Sequence, residues 1–187
     1  MRIIAGKHRG RPIRVPRSEG LRPTADRVRE SMFDILTHGI DWPGFEGAKV
    51  IDAFSGTGAC GLEALSRGAA HATFIDLDAA ALIAIRRNAA GIGEAWNVTL
   101  LKLDAIRLPP PPGAAGAPCR LAFLDPPYES GLAPAALQGL AGRRWIGEGA
   151  IAVVEVAARE PLPLPAAFSI EDERVYGAAR LVFVRLR

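Results

Sequence analysis

Cysteine is scarce in this chain of 187 residues: only Cys60 and Cys119 occur, with no Cys-x-x-Cys pair. That argues against a disulfide scaffold. A chain this long can bury roughly 70% of its extended surface and needs no covalent staple. Histidine is equally sparse, and His8, His38 and His71 do not give metal-ligand spacing, so no metal site is expected. Long apolar runs are missing as well. The longest, AAALIAI at 79–85, falls far short of a membrane span, and the opening MRIIAGKHRG has no apolar stretch before its first charges. The expectation is a soluble, cytoplasmic protein with no membrane attachment. Lysine is nearly absent, with 20 of the 23 basic residues being arginine. Beside so much alanine and proline, this is a trait of base composition and carries no functional weight.

The net charge of +3 hides a strong asymmetry. Residues 1–30 hold nine basic and three acidic groups, and the remainder holds fourteen basic and seventeen acidic ones. A basic end on a mildly acidic body suggests an electrostatic footprint for nucleic acid; the alternative is a solvated surface that keeps the protein soluble. Residues 2–15 read as two short β-type runs around a turn at 7–10, which predicts a hairpin. A helix follows with Thr24 as its N-cap and an apolar stripe of Val28, Met32, Ile35 and Leu36. From residue 48 onward, short apolar runs alternate with helical stretches. Strands are predicted at 48–54, 71–76, 98–104, 120–125 and 150–157, and helices at 61–68, 78–91 and 132–142, the second capped by Asp78. FSIEDERVY and ARLVFVRL, joined by Gly177 and Ala178, complete the chain as an antiparallel hairpin. Such alternation implies a mostly parallel sheet with helices on both faces. The proline-rich 108–118 segment reads as a surface loop or a stiff spacer, most simply inert.

Residues 50–61, VIDAFSGTGACG, form a strand, a glycine turn and a helix start. Gly56, Gly58 and Gly61 match G-x-G-x-x-G, and Asp76 follows Gly56 by twenty residues, as in dinucleotide sites. Asp52 argues against a dinucleotide, because a carboxylate at that strand end repels a pyrophosphate. A ligand with adenosine and positive charge fits better, and S-adenosylmethionine carries both an ammonium and a sulfonium. The alternative for Asp52 is a plain helix-capping group. Asp76 can accept hydrogen bonds from two ribose hydroxyls. Asp104, followed by Ala105, is placed to receive an adenine amino group. Asp52, Asp76 and Asp104 end three successive strands at the sheet edge where ligands bind.

RLAFLDPPY (120–128) ends the fourth strand with Asp125, Pro126, Pro127 and Tyr128. Two prolines remove two backbone donors and stiffen the turn, leaving carbonyls and a carboxylate as acceptors. An acceptor-only turn suits an exocyclic amine on a nucleobase, holding its hydrogens so that the nitrogen lone pair points at an electrophile. Tyr128 offers a stacking face for a base out of its helix.

The glycine loop, FIDLD at 74–78 and LDPPY together resemble the motifs of class I S-adenosylmethionine-dependent methyltransferases that modify exocyclic amines. RIIAGKHRGRPIRVP followed by LRPTADRVRESMFDIL is similar, more specifically, to the bacterial RsmD family, which methylates N2 of a guanine in 16S ribosomal RNA. The resemblance spans nearly the whole chain and departs at 108–118. It implies a Rossmann-like α/β fold with a seven-stranded sheet, parallel but for one strand of the final hairpin. A basic β-hairpin extension (1–20) would precede a catalytic domain (21–187). It implies a cofactor site of Asp52, Phe54, Gly56, Gly58, Asp76, Leu77, Asp104, Ala105 and Asp125. Catalysis would rest on Asp125, Pro126, Pro127 and Tyr128. S-adenosylhomocysteine would be the product, and the substrate the small ribosomal subunit or an assembly intermediate of it. RNA docking is expected at Arg9, Arg11, Arg14, Arg22, Arg27 and Arg29. Three other functions compete with this one: adenine-N6 DNA methylation, protein-glutamine methylation, and a non-catalytic RNA-binding assembly role. The missing target-recognition domain, the basic N-terminus and the intact Asp125–Tyr128 element weigh against them in turn.

Overall fold

The computed structural model describes residues 1–14 and 23–187, with the backbone alone for 23–25. Seven strands form one sheet in the order β3-β2-β1-β4-β5-β7-β6. They are β1 (Lys49–Ala53), β2 (His71–Asp76), β3 (Val98–Lys102), β4 (Cys119–Leu124), β5 (Ile146–Ala157), β6 (Phe168–Tyr176) and β7 (Ala179–Leu186). The first five pair in parallel, and β7 runs antiparallel to both β5 and β6. The helices are α1 (Pro23–His38), α2 (Ala59–Ser66), α3 (Ala79–Gly91) and α4 (Ala133–Gly142). The alternation of apolar runs with helical periodicity therefore places every strand and helix close to its predicted position.

Central strands covered on both faces should be apolar throughout, and Val50, Ile51, Ala72, Ile75, Leu121 and Ala122 are all fully buried. One core lies under α1, α2 and α3, and the other under α4 and the 103–118 connection. Helix α1 packs through Val28, Met32 and Leu36 of the predicted stripe, with Phe33 stacked on Phe45 at 5.4 Å between centroids. It begins at Pro23, so Thr24 falls within its first turn instead of capping it. Asp78 does cap α3, accepting from Ala80 N–H at 2.8 Å. Among the described residues, no helix is long and apolar enough to cross a membrane.

Two segments are held by contacts that no local pattern announces. In the N-terminal segment the two runs meet antiparallel at one bridge, Arg2 to Pro12, without forming named strands. Backbone bonds flank the bridge on both sides, from Ile3 N–H to the Arg11 carbonyl (3.0 Å) and from Ile13 N–H to the Met1 carbonyl (3.1 Å), so Pro12 sits at a position where no N–H is needed. What holds the segment is side-chain chemistry from the helices beneath it. Glu63, fully buried on α2, accepts N–H groups from Ile4 (2.7 Å) and Ala5 (2.9 Å) and pairs with Arg67. Ser66 accepts from His8 N–H, and Gly6 passes so close that a Cβ there would lie 1.9 Å from the Ser66 carbonyl oxygen. Asn88 of α3 clamps Arg14 by both its N–H and its carbonyl. Glu94 binds Lys7 Nζ at 2.7 Å and His8 Nε2 at 2.6 Å. Burial pushes the Glu94 carboxyl up, but hydrogen bonds from Asn97, Lys7 and His8 outweigh it and bring the group down to about 2. Ile3 and Ile13 enter the core, so residues 1–14 are part of the folded body. The predicted boundary at residue 20 lies outside the described residues.

The 108–118 segment is a largely exposed surface loop, as expected, but an anchored one. Leu108 and Ala115 are buried, and the Ala114 and Ala115 carbonyls accept from Thr99 and Thr73 on β3 and β2. Trp145 Nε1 donates to the Pro109 carbonyl at 2.8 Å. The proline run thus covers a sheet face where a crossover helix would otherwise lie.

Glu63→Ala should leave two backbone donors and Arg67 without their shared acceptor, costing about 3–5 kcal/mol. Denaturant unfolding measures this, and amide exchange should report lost protection at Ile4 and Ala5. An unchanged unfolding free energy would mean that the N-terminal segment is held by its apolar anchors alone.

Candidate functional site

Parallel strands leave their carboxyl ends at one edge of the sheet, and the loops there surround a cavity of about 990 Å³. That size suits a cofactor together with a substrate group, since ligand pockets run to about 300–1,000 Å³. Of the residues singled out from sequence, Phe54, Gly56, Asp76, Leu77, Asp104, Ala105 and the whole Asp125–Tyr128 turn line it. They come from the ends of β1, β2, β3 and β4, which the chain visits in turn but the sheet sets side by side.

The β1–α2 turn is tight because three of its residues take left-handed backbone angles: Phe54 (φ 63), Gly56 (φ 46) and Gly58 (φ 74). Phe54 has no glycine's freedom and is held in a conformation that side chains disfavour, a feature that clusters at functional sites. Gly58 could not carry a side chain even with the backbone allowed, because a Cβ would lie 2.8 Å from Ile85 of α3. Asp76 fixes the turn from the neighbouring strand. One of its oxygens accepts from Gly56 N–H at 2.8 Å, and the other accepts from Asp78 N–H at 2.8 Å. Each carboxylate oxygen has a second lone pair, so the group stays able to accept two hydroxyls from the cavity. Asp104 is steadied by Ile106 N–H at 3.1 Å, beside buried Ala105. Leu77 is 64% exposed, a large apolar side chain on the cavity wall.

Asp52 departs from its predicted place. Neither it nor Gly58 lines the cavity. Asp52 is buried behind the glycine turn and accepts Gly61 N–H at 2.9 Å, satisfying a donor in the first turn of α2. Burial, with a smaller push from Asp76 and a partial offset from the Gly61 hydrogen bond, lifts its carboxyl from the ordinary 3.8 to about 7. Cys60 beside it is half-buried and Cys119 fully buried. Burial pushes both thiols up, Cys119 to about 12, which disfavours thiolate chemistry.

Residues missed in the sequence complete the wall: Val28 from α1, Leu132 before α4, Glu155 on β5 and the Tyr176–Ala179 turn. Tyr128 Oη donates to Glu155 Oε1 at 2.7 Å. No local motif marks Glu155; only the pairing of β5 with β4 brings it to the site.

The basic residues divide. Arg9, Arg11, Arg14 and Arg27 are exposed. Arg29 is not: it is 4% exposed, donates to the Arg2 carbonyl at 2.7 Å and pairs with Asp26, which corrects its assignment to RNA docking. Arg22 lies outside the described residues. Arg11 and Arg14 share a cleft of about 370 Å³ with Arg87 of α3.

Residues 1–185 match the model of the family described as "Conserved hypothetical protein 95". The Escherichia coli (strain K12) protein named Ribosomal RNA small subunit methyltransferase D is 39% identical over 178 residues, 95% of this chain and 85% of the relative. The solved structure of yhhF from Escherichia coli superposes with a TM-score of 0.82 at 34% identity, covering 100% of this chain and 98% of that one. Magnesium protoporphyrin IX methyltransferase from Synechocystis PCC 6803 shares the fold alone, with a TM-score of 0.66 at 15% identity over 90% of this chain and 86% of that one.

A buried carboxyl raised to about 7 is favoured in its protonated form by folding, whereas the unfolded chain ionises it near 3.8. Its contribution is present below about pH 4 and is lost as pH rises to 7. Without ligand, Asp52→Asn should therefore gain stability relative to the parent between pH 5 and 8 in denaturant titrations. A pH-independent difference would place the Asp52 carboxyl in the ordinary range.

Proposed function

Because this chain belongs to the RsmD family, we propose that it methylates small-subunit ribosomal RNA, moving a methyl group from S-adenosylmethionine to N2 of a guanine. The observation that carries the reading is one cavity with two acceptor sets. Asp76 and Asp104 stand on one side, suited to an adenosine, and the Asp125–Tyr128 turn stands on the other, suited to an amine.

When bound, S-adenosylmethionine supplies an electrophilic methyl on a sulfonium and departs as S-adenosylhomocysteine. Asp76 would take the ribose hydroxyls and Asp104 with Ala105 the adenine edge, with Phe54 and Leu103 supplying apolar wall. Asp125 and the Pro126 carbonyl accept the two amine hydrogens, which frees the nitrogen lone pair from the ring and aims it at the methyl. The nitrogen–carbon bond forms as the carbon–sulfur bond breaks, and the proton shed by the amine passes to the Asp125 carboxylate or to water. Tyr128 stacks against the base. Positioning of this kind can supply roughly 7–11 kcal/mol of the barrier reduction.

The exposed arginines Arg9, Arg11, Arg14 and Arg27 form the RNA-docking face, and Arg87 joins them through the cleft it shares with Arg11 and Arg14. Phosphates neutralised there release counterions, so binding weakens as salt is added.

Three measurements follow. Labelled-methyl transfer to small subunits, bare ribosomal RNA, duplex DNA and protein, run in parallel and digested to nucleosides, should give N2-methylguanosine from ribosomal RNA. Label in N6-methyladenine or in protein would overturn the reading. Asp125→Ala should lower transfer by at least 100-fold with cofactor affinity nearly unchanged; activity within a few-fold of the parent would remove Asp125 from the chemistry. Replacing Arg9, Arg11 and Arg14 together by Ala should weaken subunit binding and reduce the logarithmic salt slope by about two to three. Parallel slopes at equal affinity would make those charges solvated surface.

A further inference from the structure

Any exocyclic amine satisfies an acceptor-only turn, so Asp125–Tyr128 does not distinguish guanine from adenine. A second group in the wall does. Strands β4 and β5 are parallel neighbours, and Leu124 pairs with Val154. The next residues, Asp125 and Glu155, therefore stand level at the carboxyl edge, and both line the cavity. Glu155 is half-buried, and the Tyr128 hydroxyl fixes its Oε1 at 2.7 Å. Two carboxylates thus stand in the cavity wall with Tyr128, one of them bonded to its hydroxyl.

Guanine offers adjacent donors, N1–H and the N2 amine, whereas adenine offers an N1 lone pair beside its N6 amine. A carboxylate accepts from both guanine donors but repels the adenine lone pair. We infer that Glu155 reads the N1–H of the target guanine and so selects guanine over adenine. This rests on the guanine-N2 reading above and names the residue that enforces it. Glu155 acts as a specificity group, and the methyl acceptor remains the amine beside Asp125.

The bland account is that Glu155 only anchors Tyr128. 2-Aminopurine separates the two, because it keeps the 2-amino group, replaces N1–H by a lone pair and lacks O6, and only the N1 difference should respond to a change at Glu155. The target guanosine is first mapped with the parent enzyme on natural small subunits. Subunits reconstituted with guanine or 2-aminopurine at that position are then compared by kcat/KM. The parent should prefer guanine by about 100-fold or more, since a site built to bond an N–H rejects an analogue lacking it. Glu155→Gln keeps an acceptor for Tyr128 and brings an amide N–H that can serve the 2-aminopurine N1, so the preference should narrow at least tenfold. Glu155→Asp, which withdraws the carboxylate by one methylene, should narrow it as well and serves if the glutamine variant fails to fold. Tyr128→Phe removes the same hydrogen bond but keeps the carboxylate, and should slow both substrates while leaving the preference within a few-fold of the parent.

An unchanged preference in a Glu155 variant with normal cofactor affinity would overturn the inference. So would an equal narrowing by Tyr128→Phe. Transfer by the unaltered protein to adenine or to protein would instead overturn the guanine reading itself, whatever the variants do.

Discussion

One carboxylate holds the catalytic edge together. Asp76, at the end of β2, accepts Gly56 N–H from the loop after β1 and Asp78 N–H from the start of α3. The two loops that bound the cofactor half of the cavity are therefore locked by a single side chain. Charge-assisted bonds of this kind are roughly twice as strong as neutral ones, and they orient the group as well as binding it. The remaining lone pairs of Asp76 are left for a ligand. On the proposed reading, pre-organisation of the site and recognition of the cofactor are thus two uses of the same oxygens.

The N-terminal segment is coupled to that edge through the helices. Helix α2 begins at the glycine turn, and its inner face offers Glu63 and Ser66 to residues 4–8. Helix α3 begins at Asp78 and offers Asn88 to Arg14. Arg9, Arg11 and Arg14 thus lie on a segment tied to the two helices that start at the cavity loops. A buried glutamate with three donors is costly to desolvate and costly to disturb, so the segment is held in one place. On the proposed reading, a basic segment fixed to the folded body gives a large RNA substrate a rigid surface to dock on.

Much of this was legible in the residues. Strand and helix alternation gave the doubly covered sheet, and FSIEDERVY–GA–ARLVFVRL gave the antiparallel end, because hydrophobic period and turn chemistry are local signals. The acids at strand ends were legible because ligands bind at the carboxyl edge of parallel sheets. Asp52 was legible as a strand-end acid but not in its direction, since it is buried behind the glycine turn and faces the Gly61 N–H of α2. Arg29 looked like its exposed neighbours, yet a helix face turned inward buries it against Asp26 and the Arg2 carbonyl. The proline run gave no sign that its carbonyls would meet Thr73 and Thr99. Glu155 was invisible for the same reason, because its role depends on strand register and not on any neighbour in sequence.

The central claim is that the cavity at the carboxyl edge holds S-adenosylmethionine through Asp76. Calorimetric titration of S-adenosylmethionine into the parent and Asp76→Ala proteins tests it most directly, with unfolding curves confirming that both are folded. Losing hydrogen bonds to a charged group costs about 1.5–3 kcal/mol, so affinity should fall by roughly one to two orders of magnitude. Equal affinity in the folded variant, or tighter binding of NAD than of S-adenosylmethionine by the parent, would contradict the account.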